Sequence, residues 1–207
     1  MNITSNINRI HEMQCSWYSW RNNAGTLTMI ALSFLVACFT GLMAQVSIAV
    51  PWSPVLITFQ TFAVLLAGVF LGGKYGAFSM ILYMLLGVLG MPWFTGMNHG
   101  LSFIFAASGG YIIGFVIAAA FIGYVSDNYV NARKPFQTVV LMLTANFICI
   151  YVPGLIVLYN AMYVNAGMSL GIFDLLMMGA VPFIVGDLFK IALASGISTS
   201  ILPKEEG

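Results

Sequence analysis

Asp187 and Lys190 stand three residues apart in the run AVPFIVGDLFKIALASGISTSIL, which is otherwise apolar. The i, i+3 spacing puts both side chains on one helical face. A lone Asp or Lys at the centre of a membrane-spanning helix costs roughly 2.5–3.5 kcal/mol, so the pair needs a compensating arrangement or a use. One account is mutual neutralisation between helices. Another is recognition: a carboxylate accepts N–H groups, and an ammonium donates to a carbonyl or a carboxylate. A third is proton transfer through Asp187, as in an ion- or proton-coupled small-solute carrier.

Other residues of chemical interest lie at the edges of apolar runs. VPWSPVLITFQT brings Thr58 and Gln60 to the start of an apolar helix, where they bond to neighbouring helices or touch a ligand. GMPWFTGMNHGLSFIFAASGGYIIGF interleaves Trp93, Phe94 and Tyr111 with glycines and Asn98, a composition that suits an aromatic-lined lid. Asn146 lies midway along another apolar run. His99 has no partner at metal-ligand spacing, and Cys15, Cys38 and Cys149 form no metal or redox motif, so no metal or cofactor is expected. GxxxxGK[ST], GxSxG and HExxH do not occur. The chain therefore reads as neither an ATPase nor an enzyme.

The elements that must position these residues follow from composition. Sixty per cent of the 207 residues are hydrophobic, 6% are charged, and mean hydropathy is +0.96, which marks an all-α integral membrane protein. A net charge of +1 gives no electrostatic case for nucleic acid. At about 20 residues per crossing, six transmembrane helices are expected, near 27–48, 55–72, 75–91, 102–125, 137–158 and 181–202. Pro51, Pro54, Gly72-Gly73, Pro92, SDNYVNARKP and a loop from Asn160 to Gly171 punctuate them. GIFDLLMMG can form a short helix at the outer surface. Residues 1–26 form a polar N-terminal segment, with Trp17, Tyr18 and Trp20 as interfacial anchors, 27–202 a single bundle in the bilayer, and 203–207 a tail.

Arg9, Arg21, Lys74, Arg133, Lys134 and Lys204 all fall on one side of this topology. The positive-inside rule makes that side, with both termini, cytoplasmic, in a multi-pass protein of the cell membrane. Asp187 then lies about 9 Å along its helix from the outer end, with Lys190 one turn deeper. Ser33, Ala37 and Gly41 form a small-residue stripe on the first span that can admit a partner helix. Gly68/Gly72 and Gly110/Gly114 repeat the spacing and suit internal packing.

Three separated motifs then stand in order: PVLITFQTFAVLLAGVFLGGKYGAFSMILYMLLGVLGMPWF, SGGYIIGF and PFIVGDLFK. Together they resemble the BioY family, the biotin-specific S component of energy-coupling factor (ECF) transporters, over most of 27–202. The resemblance implies the S-component fold and capture of biotin at the outer side. It also implies partners: a transmembrane coupling (T) protein, docked on the Ser33/Ala37/Gly41 stripe, and two cytoplasmic ATPases. Asp187 and Lys190 would contact the ligand, with Trp93, Phe94 and Tyr111 as flat walls. Gly96 stands where relatives often carry a binding Asn, which makes Asn98 a displaced candidate. An S component for a different vitamin is the related alternative.

Overall fold

A computed structural model describes residues 3–167 and 169–203. Hydrocarbon offers backbone groups no water, so apolar runs of this length satisfy their hydrogen bonds internally as helices. In chain order these are α1 (Ile3–Asn23), α2 (Thr26–Gln45), α3 (Gln60–Val88), α4 (Leu101–Ile104), α5 (Gly109–Asn128), α6 (Pro135–Thr144), α7 (Tyr151–Ala166), α8 (Ile172–Gly179) and α9 (Ile184–Ile201). Between α2 and α3 a short hairpin pairs β1 (Ser47–Ile48) antiparallel to β2 (Ile57–Thr58). Among the described residues five helical stretches are long and apolar enough to cross a membrane, counting α3 as one, α6 with α7 as one and α8 with α9 as one.

α3 is not straight. Gly72 takes φ 75°, ψ 178°, a left-handed conformation open to glycine and strained for other residues. The chain reverses there. Gln60 Nε2 donates to Tyr83 OH at 2.8 Å, although a continuous helix would hold these residues about 35 Å apart. The two expected spans thus become antiparallel arms, 60–71 and 73–88. The first arm, at 1.5 Å per residue, is only about 18 Å long.

Boundaries differ elsewhere in ways that have physical causes. The second span starts at Gln60 rather than 55, because residues before it are spent on the hairpin. The helix expected to end at 158 continues to Ala166, where Gly167 at φ 63° caps it, so the expected loop from Asn160 is mostly helical. Pro182 lies in a 3₁₀ turn ahead of α9, and GIFDLLMMG does form a short helix, α8. The polar N-terminal segment folds as α1 and packs on the bundle: Gln14 Nε2 donates to Ser200 O, and Trp17 meets Phe70 edge-on.

The small-residue seams are internal. Gly68 faces the Ala119 carbonyl and Ile122 on α5, and Gly114 faces Ile150, so a methyl at either position would collide. Ser33 and Ala37 are fully covered, Ser33 Oγ donates to Tyr75 O, and a Cβ on Gly41 would lie 3.0 Å from that of Trp93. The stripe expected to receive a partner is consumed by packing against α3 and the loop after it.

The basic residues gather at one end. Arg21 pairs with Asp127 and donates to Val69 O, and Arg133 donates to Ser126 O and Pro203 O. Residues 204–207, including Lys204, lie outside the described residues. Asp187 sits in the first turn of α9, and Ser200 in its last, so Asp187 lies toward the opposite end of the bundle.

Candidate functional site

At that opposite end the first arm of α3, α5, the α6–α7 helix and α9 surround a cavity. Its wall is divided by chemistry. Phe103, Ile112, Phe115, Ile150 and Phe183 supply apolar surface; Thr58, Gln60, Thr61, Thr95, Tyr111, Tyr151, Asp187 and Lys190 supply polar groups.

Asp187 and Lys190 are 2% and 3% exposed, and their Oδ1 and Nζ lie 2.5 Å apart. Burial of a charged pair is tolerated only when its remaining valences are filled. Lys190 Nζ also donates to Thr58 O at 2.8 Å. That carbonyl is within reach because β2 ends just before α3 begins. Asp187 Oδ2 accepts from Asn146 Nδ2 at 2.8 Å and from Tyr151 OH at 2.5 Å, while Oδ1 accepts a longer bond from Thr61 Oγ1, 3.4 Å. A lysine ammonium has three donors, and two are placed.

Gln60 organises the neighbouring wall. Its Oε1 accepts from Thr58 Oγ1 (3.0 Å) and Thr95 Oγ1 (3.2 Å), and its Nε2 reaches Tyr83 OH. Tyr111 is fixed by donation to Gly179 O at 2.7 Å, and its ring lies in the notch left by Gly154, where a Cβ would overlap it.

Five of the eight expected ligand residues therefore line the cavity: Asp187, Lys190, Thr58, Gln60 and Tyr111. Trp93, Phe94 and Asn98 do not. Left-handed Gly90, Gly96 and Gly100 fold their loop back on itself, and Phe94 bridges to Asn98 through its backbone. Trp93 Nε1 donates to Tyr83 O, Phe94 is fully buried and stacks on Phe103, and Asn98 Nδ2 caps Thr95 O. They form the backing of the wall. Thr61, Thr95 and Tyr151 were not expected; Thr61 carried a usable signal, as the next polar residue after Gln60.

Residues 14–205 match the BioY family. The probable biotin transporter BioY of Methanothermobacter thermautotrophicus is 41% identical over 140 residues, which cover 68% of this chain and 89% of the relative. Its counterpart in Pyrococcus horikoshii is 34% identical over 165 residues, covering 80% and 90%. Among solved structures, the crystal structure of the S-component for biotin from an ECF-type ABC transporter is similar at a TM-score of 0.74 and 25% identity, covering 89% of this chain and 97% of that one.

Proposed function

This chain belongs to the BioY family, and on that premise we propose that it takes up biotin as the S component of an ECF-type transporter. The observation that carries this reading is the buried Asp187–Lys190 pair on the wall of a cavity with one apolar and one polar side. Biotin is a fused ring with two ureido N–H donors and one carbonyl, joined to an alkyl tail that ends in a carboxylate. The acceptor and donor of the pair are adjacent, so they suit adjacent ligand atoms. A ureido N–H beside its C=O meets that condition; the tail carboxylate, several bonds away, does not. Asp187 then accepts a ring N–H, the unplaced Lys190 proton goes to the ring carbonyl, and Phe103, Ile112 and Phe115 cover the apolar body.

Capture requires removal of water from the ring, and the polar wall replaces it with groups already oriented. That preorganisation limits the entropy lost on binding. Gln60 and Tyr111 act as fixed parts of the wall, Gln60 held by Thr95 and by Tyr83 on the other arm of α3, Tyr111 by the Gly179 carbonyl.

The two arms of α3 each count as a crossing in this reading, giving six transmembrane helices with both termini in the cytoplasm. The basic end around Arg21 and Arg133 then faces the cytoplasm, and the cavity opens outward, in the cell membrane. A transmembrane coupling protein and two ATPase subunits supply the energy.

Mass spectrometry of small molecules released from the purified protein, followed by calorimetric titration, tests the substrate. Biotin in the released fraction and saturable binding are expected. Release of a different vitamin, with no biotin binding, overturns the reading.

A further inference from the structure

The side chains that hold Asp187 come from a helix that leaves α geometry just beside it. Ala145–Ile150 forms a π-helical turn between α6 and α7, and the Tyr151 N–H bonds to the Asn146 carbonyl, an i→i+5 link. On an α-helix, residues five apart point about 140° from one another around the axis. The wider π turn brings i and i+5 to neighbouring places on one face. Asn146 and Tyr151 consequently reach the same carboxylate oxygen, Asp187 Oδ2, at 2.8 and 2.5 Å.

The two oxygens of Asp187 are thereby assigned different work. Oδ2 is occupied by two donors fixed in the wall. Oδ1 holds Lys190 and the Thr61 hydroxyl, the latter at 3.4 Å the longest bond of the set. A carboxylate offers about four lone-pair positions, so the four donors of the protein take all of them, and the Thr61 position is the one a ligand donor displaces most easily. Asn146 itself is fully buried, does not line the cavity, and its Oδ1 has no hydrogen-bond partner among the described residues. An unpartnered buried amide oxygen is a standing penalty that an aliphatic side chain of similar size would remove. The amide earns its place through its N–H alone.

We infer that Asn146 and Tyr151, aligned by the π turn, are positioning residues that lock Asp187 so that a single oxygen, Oδ1, faces the ligand beside the Lys190 ammonium. The site then reads one ring edge, an N–H next to a carbonyl, and leaves the second ring N–H unread by Asp187. This rests on the biotin reading above.

Two carbamate isosteres of biotin, each with one or the other ring N–H replaced by oxygen, test it without a steric change. In calorimetric titrations of the intact protein, one isostere binds within roughly tenfold of biotin and the other at least a hundredfold more weakly, because a site built to bond an N–H rejects the analogue that lacks it. In Asn146→Leu and Tyr151→Phe the ratio between the isosteres falls toward one. A general folding defect would lower the affinity for both and leave their ratio unchanged. Equal losses for both isosteres in the unmodified protein, or an unaltered ratio in both variants, overturn the inference even where biotin binds. Absence of biotin binding altogether overturns the functional reading instead. The isostere comparison needs no variant, so poor folding of Asn146→Leu leaves the proposal open to refutation.

Discussion

Among the described residues two ion pairs stand at opposite ends of the bundle, and they are built to opposite plans. At the basic end Arg21 and Asp127 are embedded in bonds that close helix termini. Arg21 Nη1 takes the Val69 carbonyl near the end of the first arm of α3, and Asp127 Oδ2 accepts the Gly73 N–H that opens the second. Arg133 caps the end of α5 through Ser126 O and Asp127 O. The Tyr18 ring lies between the two guanidinium groups, at 4.6 and 4.4 Å. Each charge there satisfies a terminal backbone group and complements a helix dipole. At the other end Asp187 and Lys190 close no helix terminus. They stand on the wall of a cavity with one ammonium proton unplaced. The same pair chemistry ties helix ends together at one end of the bundle and lines a cavity at the other.

This contrast can be broken most sharply at Asp187. Asp187→Asn should weaken biotin binding by a hundredfold or more, since it removes a charged acceptor and leaves Lys190 buried without its partner. Calorimetry measures this, and an unchanged elution profile on size exclusion shows that the bundle persists. Lys190→Met should cost roughly tenfold to a hundredfold in affinity, the range of a charge-assisted hydrogen bond, read in the same titration. Gln60→Leu releases the Thr58 and Thr95 hydroxyls without touching either charge, and a loss of about tenfold is expected for two neutral hydrogen bonds. Arg21→Met should leave biotin affinity within about twofold while lowering the thermal midpoint in detergent by several degrees, because it removes a buried guanidinium that holds Asp127 and the Val69 carbonyl. An affinity loss at Arg21 equal to that at Lys190 would erase the distinction between the two ends. Asn98→Ala should have the smallest effect, below about twofold, since its amide serves only the turn at Thr95.

The sequence made the pair on α9 conspicuous, because charges in an apolar run have few innocent explanations. Thr58 and Gln60 were legible for a related reason, as polar groups at the start of an apolar helix, and Tyr111 as an aromatic side chain among loop glycines. Tyr151 was not. Tyrosine is common in membrane helices, and its alignment with Asn146 depends on a π turn that ordinary helical periodicity does not register. Trp93 and Phe94 lie outside the cavity lining because three left-handed glycines turn their loop inward, a fold that aromatic composition does not register. Gly72-Gly73 was legible as a boundary, and the structure makes it a tight reversal. The Ser33/Ala37/Gly41 stripe announced close packing, but such a stripe does not say whether the approaching helix belongs to the same chain. α1 was unreadable as a helix because its contacts are made by Arg, Tyr, Trp and Gln and not by an apolar stripe.

The short first arm of α3 also acts as a ruler. Its twelve or so residues, counted from the Gly72 turn, set the height at which Thr58, Gln60 and Thr61 stand opposite α9. An insertion of one helical turn would lift all three by about 5.4 Å, carrying the Thr58 carbonyl out of reach of Lys190 while keeping every side chain on its proper face. A change of one residue would instead rotate them about 100° away from the cavity. Length in this arm is therefore as tightly constrained as residue identity, and insertions that loops elsewhere absorb are expected to be excluded from 60–71.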